Sequence, residues 1–134
     1  MMENLALVDT SAWICFFSRH GYEEMKREIS FILDEGRAAI AGPILMELVQ
    51  GTRNIAEKEK LKNYVRGLSW LSINDDHWHQ SAELAFQLRR MGVTASSIDT
   101  LIAVLAIDYH CILLHKDSDF DRISSHSPLV CYPF

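Results

Sequence analysis

Apolar and polar positions alternate along the chain in a way that separates short buried strands from longer amphipathic helices. Three short apolar runs, Leu5–Val8, Ala38–Ala41 and Cys111–Leu114, predict buried strands. Two further runs, at 70–73 and 129–132, are candidates for a fourth and a fifth strand. Stretches with apolar residues at helical spacing lie between these runs, so strands and helices alternate.

The helical stretches begin and end at residues that are typical of helix termini. Pro43 suits the first turn of a helix that stops at Gly51, and Asp75 or Asp76 is expected to cap a helix that runs to Met91. Alternating strands and helices predict an α/β domain with a parallel sheet covered on both faces. The predicted helices lie at 10–18, 22–35, 42–51, 55–65, 75–91 and 98–109, with a short helical turn at 120–123.

Composition narrows the class of protein. The 134 residues are 49% apolar, which fits one globular domain with a substantial core. A formal net charge of −5 argues against a protein that coats nucleic acid, although an enzyme can still grip nucleic acid locally. The three cysteines form no C-x-x-C pair, so we expect neither a disulfide framework nor a zinc knuckle. Neither a signal peptide nor a membrane-length apolar run is evident, and we expect a cytoplasmic protein.

Acidic residues follow the predicted strands or head the predicted helices. Asp9 follows the first strand, Asp99 heads the most apolar helix, and Asp117 and Asp119 follow the strand at 111–114. Each has a structural explanation when taken alone, because acids at such positions commonly cap helices. The spacing of a serine three residues before Asp99, for example, is that of a capping box.

A fifth acid, Glu47, lies at the edge of the apolar stripe of its helix, where an ordinary surface glutamate is the simpler interpretation. A joint explanation covers all five acids, because parallel strands bring their carboxyl ends, and their ligands, to one edge of a sheet. Two carboxylates about 4 Å apart repel by about 4 kcal/mol at an effective dielectric constant of about 20, so such a cluster needs a cation. Oxygen ligands favour Mg²⁺ or Mn²⁺, and such ions support phosphoryl chemistry by activating water.

Four segments that carry the acids follow one another along the chain: "VDTSAW", "GPILMELVQG", "SSIDTLIAVLA" and "LLHKDSDFDRI". In this order, the set resembles the motifs of a PIN-domain ribonuclease of the VapC toxin type. The resemblance spans nearly the whole chain and implies one PIN domain over residues 1–134. It also implies a three-layer sandwich in which helices flank a mainly parallel sheet. The implied protein is a cytoplasmic, homodimeric, Mg²⁺-dependent endoribonuclease that acts on RNA such as tRNA. Its implied partner is a VapB-type antitoxin, which inserts a C-terminal segment across the site.

The resemblance also implies roles for individual residues. Asp9 and Asp99 match the core metal ligands, and Glu47 matches an acid that binds the ion or orients its water. Ser11 matches a hydroxyl residue that supports the first acid. Apart from the resemblance, the convergence of the acids leads us to expect that Thr10 and Ser11 cap the first helix and leave the Asp9 carboxylate free for the ion. The last segment holds three further candidates: Asp117, Asp119 and His115. Either Asp117 or Asp119 could be the metal ligand, and His115 stands where many members of the family carry Thr or Ser.

Other polar residues give weaker indications. Residues 53–66 hold five basic and two acidic residues, which is typical of a solvated helix face but could also bind RNA phosphates. His77 and His79 would point about 200° apart on a helix, so a capped helix start is favoured over a zinc site. Trp13 and Trp78 are expected in the core or at an interface. The candidate RNA-binding residues are Arg53, Lys58, Lys62 and Lys116, with Arg89 and Arg90 less supported.

Two other functions remain open. A phosphatase of the haloacid dehalogenase type would use Asp9 as its nucleophile, but that chemistry wants a second Asp two residues later, where Ser11 stands. A catalytically inactive PIN-like module that only binds RNA or a partner is the other alternative. Such a module would be expected to have lost one or more of the acids, whereas all of them are present here.

Overall fold

A computed structural model describes residues 4–134, which form four strands and seven helices. Each predicted helix is present, and its ends lie within two residues of those expected from the sequence. In chain order the elements are β1 Ala6–Val8, α1 Thr10–Phe17, α2 Glu23–Asp34, β2 Ala38–Ala41, α3 Gly42–Gln50, α4 Ile55–Val65, β3 Ser69–Leu71, α5 Asp75–Arg90, α6 Ser97–Asp108, β4 Ile112–Leu114 and α7 Ser118–Ser124.

The four strands form one parallel sheet in the order β3-β2-β1-β4. All residues of β1 and β2 are buried, and successive strand residues point to opposite faces, so helices cover both faces of the sheet. The predicted parallel α/β sandwich is therefore confirmed. Because β1 lies beside β4, the chain segments that leave these two strands are neighbours, and the backbone N–H of Asp9 donates to the Leu114 carbonyl at 2.9 Å.

The candidate fifth strand at 129–132 is reduced to a single parallel bridge between Leu113 and Cys131. Two hydrogen bonds hold it, from the Leu113 N–H to the Val130 carbonyl and from the Tyr132 N–H to the Leu113 carbonyl. Because the pairing does not extend beyond this bridge, the prediction of a full strand there is wrong.

The first residues of α5 also differ from the prediction. Asn74, not Asp75 or Asp76, caps the helix: its Oδ1 accepts from the His77 N–H at 3.1 Å. The buried His77 ring completes a capping box through Nδ1, which accepts from the Asn74 N–H at 3.0 Å. Its Nε2 lies 2.7 Å from Asp108 Oδ2, so both ring nitrogens are engaged within the fold.

Helix α6 is the most buried helix of the fold, with seven consecutive buried residues from Thr100 to Ala106. Burial on all sides agrees with its continuous apolar sequence. Its first turn carries Asp99. Among residues 4–134, no helix combines the length and the apolar character that crossing a bilayer requires.

Candidate metal centre

Three acids lie together where α6 begins and where α7 follows β4. Each of Asp99, Asp117 and Asp119 offers a carboxylate oxygen, and these oxygens lie within 4.8 Å of one another. All three side chains are only partly buried, so the cluster is open to solvent. This is the edge at which the parallel strands end, and ligands of open α/β sheets bind at that edge.

Capping interactions fix the backbone on both sides of the cluster. Asp117 caps α7, and its Oδ1 accepts from the Asp119 N–H at 2.9 Å. Ser96 caps α6 by accepting from the Asp99 N–H at 3.0 Å. The predicted capping box is only half formed, because within residues 4–134 the Asp99 carboxylate does not return a bond to the Ser96 N–H. The carboxylate of Asp99 therefore points to the cluster and is not consumed by capping.

Asp9 is buried, and its carboxylate is the cap of α1. Its Oδ2 accepts from the Ser11 N–H at 3.0 Å and from the Ser11 hydroxyl at 2.6 Å. The expectation that Thr10 and Ser11 would take over the capping is wrong, because only Asp9 has an extended backbone immediately before the helix. Both bonds use Oδ2, and within the described chain Oδ1 of Asp9 makes no hydrogen bond, so one oxygen remains for a cation.

Ser11 connects the two halves of the site. Its Oγ donates to Asp9 and accepts from the Lys116 backbone N–H at 2.9 Å. Through this hydroxyl the start of α1 is bonded to the segment after β4, which carries Asp117 and Asp119. The hydroxyl thereby orients the Asp9 carboxylate toward that segment.

The surroundings of Asp99 raise the pKa of its carboxyl to about 7. Burial of the carboxyl is the largest cause, followed by repulsion from Asp117 and a hydrogen bond shared with it, then by the charges of Asp9 and Asp119. Asp9 therefore lies within the electrostatic reach of Asp99. Asp9 lies outside the group of three close carboxylates, but the repulsion among all four acids disfavours the charged form of Asp99.

Glu47 occupies a different position. It is exposed on α3 and does not belong to the group of three close carboxylates. Its Oε1 accepts from the Thr10 hydroxyl at 3.0 Å, which ties it to the residue that follows Asp9. Glu47 thus lies at the rim of the site, and Thr10, which the sequence analysis assigned to capping, holds it there.

His115 is buried after β4 and supports the same segment. Its Nδ1 accepts from the Asp117 N–H at 3.1 Å, and its Nε2 lies 3.3 Å from Asp121 Oδ1. The ring also packs against Phe120, with the ring centroids 5.2 Å apart. A histidine at this position therefore supplies a hydrogen bond to the segment of the acids.

Arg122 was missed by the sequence analysis. Its guanidinium forms an ion pair with Asp119 Oδ1, and its Nη1 lies 3.5 Å from the Ser118 hydroxyl. The available signal was the i, i+3 spacing of Asp119 and Arg122 on a short helix, since side chains at this spacing are neighbours. A basic side chain therefore contacts the acid cluster.

The predicted RNA-binding residues are more dispersed. The Arg53 guanidinium donates from Nε and Nη2 to Oε1 of Glu57, and Lys58 lies 3.6 Å from Glu59, while Lys62 is exposed on α4. Lys116 is exposed beside the acids, and its backbone N–H is bonded to Ser11. Lys116 is therefore the candidate that adjoins the site. The remaining candidates, Arg89 and Arg90, are exposed at the end of α5.

A groove of about 790 Å³ extends from the rim of the site between α1, α3 and α4. Thr10 and Glu47 line one part of it, and exposed apolar side chains line another, among them Ile14, Phe17 and Tyr64. Charged side chains also line the groove, namely Arg53, Glu57 and Lys60. The floor is supported by an aromatic cluster in which the buried Trp13 ring stacks on Phe17 and meets Tyr64 edge-on. Trp13 thus belongs to the core, as expected.

Trp78 differs from Trp13, since its side chain is 56% exposed on α5. Phe86, two turns further along the helix, is 55% exposed. Trp78 therefore does not belong to the core of this chain.

The chain belongs to the PIN-domain family. The profile of the family described as "PIN domain" matches residues 6–125, which include the sheet, the three clustered acids, Asp9 and Glu47. The chain is also 35% identical over 135 residues to the ribonuclease VapC11 of Mycobacterium tuberculosis and to the VapC ribonuclease Mb1587 of Mycobacterium bovis. These alignments cover 97% of this chain and 99% of each relative.

Solved structures with the same fold come from toxin–antitoxin complexes. A chain of the VapBC2 complex from Rickettsia felis, bound to a promoter DNA fragment, superposes with a TM-score of 0.78 at 18% identity and covers 97% of this chain and 98% of that one. A chain of DNA-bound VapBC from Salmonella typhimurium gives 0.76 at 19% identity, with 97% of this chain and 98% of that chain covered. At these identities the likeness establishes the fold.

Proposed function

We propose that this protein is a divalent-metal-dependent endoribonuclease and the toxin of a VapBC-type toxin–antitoxin pair. The observation that carries the proposal is the group of three close carboxylates at the carboxyl edge of the sheet, with Asp9 within electrostatic reach of it, in a chain related to VapC ribonucleases. Four acids in one site, one of them with a pKa of about 7, favour an enzyme over an inactive PIN-like module. Membership of the PIN-domain family argues against the haloacid dehalogenase alternative.

The donor set fits Mg²⁺ or Mn²⁺, because every candidate ligand is a carboxylate oxygen. Asp99, Asp117, Asp119 and the free Oδ1 of Asp9 would hold the ion, and a bound ion would polarise the phosphodiester and activate water. Ser11 and His115 orient the segments that carry these acids. Glu47, held by Thr10, would orient the attacking water from the rim. We expect hydrolysis to leave a 5′ phosphate on an RNA such as tRNA.

Metal dependence and the role of the cluster can be tested together. Purified protein should cleave total tRNA in Mg²⁺ or Mn²⁺ but not in EDTA. Asp99→Asn should abolish cleavage, because it removes a ligand without changing the size of the side chain. Asp75→Asn, an exposed acid at the start of α5, serves as the matched control and should cleave like the wild type. Cleavage that persists in EDTA or in Asp99→Asn would contradict the proposal.

The proposed partner is a VapB-type antitoxin, and the groove beside the acid site suits a segment of such a protein. Its apolar lining would accept apolar side chains, and the adjoining acids would accept a basic one. Ile14→Asp, which places a charge in the lining, should weaken co-purification with the antitoxin encoded beside this gene. Phe31→Asp, an exposed aromatic residue on α2 that does not line the groove, is the control. Equal retention of antitoxin by both variants would exclude the groove as its binding site.

A further inference from the structure

Arg122 is a cation built into the acid site. Its guanidinium is ion-paired with Asp119, whose carboxylate belongs to the group of three close acids. Within residues 4–134, no other arginine or lysine forms an ion pair with Asp9, Asp99, Asp117 or Asp119. Within the described chain, Arg122 is therefore the basic side chain that is ion-paired with these acids, whereas Lys116 beside them forms no such pair.

Helix α7 keeps this guanidinium beside the site. Asp119 and Arg122 lie one turn apart, and two residues on the adjoining face of the helix, Phe120 and Ile123, are completely buried and anchor it in the core. The Arg122 side chain is 50% exposed and that of Asp119 is 26% exposed. A half-exposed pair at this spacing is weak, and a divalent cation held by several carboxylates binds Asp119 far more strongly. Asp119 can therefore exchange the Arg122 guanidinium for a divalent cation while α7 stays in place.

We propose that Arg122 is an internal counter-cation of the acid site, which occupies Asp119 while no divalent cation is bound and releases it when the cation binds. This inference rests on the proposed metal centre. Because the guanidinium must leave Asp119, or remain as a like charge next to the ion, Arg122 weakens cation binding. Arg122 is thus a positioning residue that sets the cation concentration at which the site is loaded.

Calorimetric titration of the protein with Mn²⁺ at pH 8 tests the inference without measuring RNA cleavage. Arg122→Gln should bind Mn²⁺ roughly three- to tenfold more tightly than the wild type, because a competing charge at the surface has been removed. Arg122→Lys keeps the charge and should stay within about twofold of the wild type. Unchanged or weaker binding in Arg122→Gln would overturn the inference, because it would mean that the guanidinium merely orients Asp119 or has no part in the site.

Asp99→Asn separates this inference from the proposed function. If Asp99→Asn still binds Mn²⁺ like the wild type, the metal centre itself is wrong. If Asp99→Asn loses Mn²⁺ while Arg122→Gln binds like the wild type, the metal centre stands and only the role of Arg122 fails. Circular dichroism of each variant establishes that it is folded.

Nuclear magnetic resonance of the wild-type protein gives a second readout that needs no stable variant in the titration. With ¹⁵N-labelled arginine, the side-chain Nε–H signal of Arg122 is assigned by its absence from Arg122→Lys. Addition of Mg²⁺ should shift this signal, whereas that of Arg53, paired with Glu57 on α4, should stay in place. An Arg122 signal that does not move at saturating Mg²⁺ would refute the exchange of partners.

Discussion

Asp9 illustrates how much of the site could be predicted from single residues. Its position after a buried strand predicted either a helix cap or a metal ligand. In the structure Oδ2 caps α1, and Oδ1 makes no hydrogen bond within the described chain, so the same carboxylate could serve both roles. The convergence of the four aspartates followed from the carboxyl-edge rule for parallel sheets. The contact of Thr10 with Glu47 could not be predicted, because it depends on rotamers and on which side chains meet across elements, whereas the i, i+3 spacing of Asp119 and Arg122 did indicate their pairing.

The hydroxyl of Thr10 gives a test at this scale. Thr10→Val keeps the shape of the side chain but releases Glu47, and it should lower kcat about tenfold with little change in KM, because an acid that orients water would lose its position. Steady-state cleavage of a labelled RNA measures both constants. Thr10→Ser keeps the hydroxyl and should restore kcat. Failure of serine to rescue would assign the loss to packing of the methyl group.

The raised pKa of Asp99 predicts how stability depends on pH when no metal is bound. A carboxyl whose pKa is about 7 in the folded protein and about 4 when unfolded binds more protons in the folded state between these values. Its contribution to stability is present at low pH and is lost as the pH rises through about 7. In EDTA, the melting temperature of the wild type should therefore fall relative to that of Asp99→Asn between pH 5 and pH 8. Parallel curves for the two proteins would contradict the raised pKa.

Helix starts were predicted less accurately than the helices themselves. The helical periodicity predicted the extent of α5, but Asp75 or Asp76 was expected to be its cap. Asn74 has the extended backbone of a cap and accepts the hydrogen bond from the His77 N–H. Adjacent Asn and Asp residues are all good caps, so sequence alone cannot rank them. The deciding factor was the buried His77 ring, whose Nδ1 accepts the Asn74 N–H.

Substitution at the start of α5 checks this assignment. Asn74→Ala should destabilise the protein by about 1 kcal/mol, the usual cost of losing a helix cap. Asp75→Ala and Asp76→Ala should cost less, because these exposed acids contribute only through the helix dipole. Urea denaturation of the three variants measures the free energies of unfolding. A larger loss for either aspartate would reverse the assignment of the cap.

At the scale of the whole molecule, the α/β architecture and the parallel sheet could be predicted because strand and helix periodicities alternate without interruption. The reduction of the candidate strand at 129–132 to a single bridge at Cys131 could not be predicted, because an apolar run does not show how many ladder hydrogen bonds an edge segment makes. The sequence also did not show which aromatic side chains are exposed. Trp78 and Phe86 are both more than half exposed on α5, two turns apart.

We expect these two aromatic residues to lie at the interface of a homodimer, since exposed aromatic side chains of this size are typical anchors of interfaces. Light scattering coupled to gel filtration should give twice the chain mass for the wild type. A double variant, Trp78→Ser with Phe86→Ser, should shift the protein to the monomer while leaving its circular dichroism unchanged. Phe31→Ser, on α2, is the control and should remain dimeric. A wild-type monomer, or a dimer that survives the double substitution, would contradict this expectation.

The hydroxyl of Ser11 donates to the Asp9 carboxylate and accepts from the backbone N–H of Lys116, which is 105 positions after Ser11. Contacts between such distant parts of a sequence form late in folding, since the intervening chain must first be ordered. During synthesis, a chain that has not yet been extended through β4 carries Asp9 and Asp99 but lacks Asp117 and Asp119. For the proposed nuclease, which is surrounded by RNA on the ribosome, this arrangement postpones assembly of the site until the segment after β4 has been synthesised.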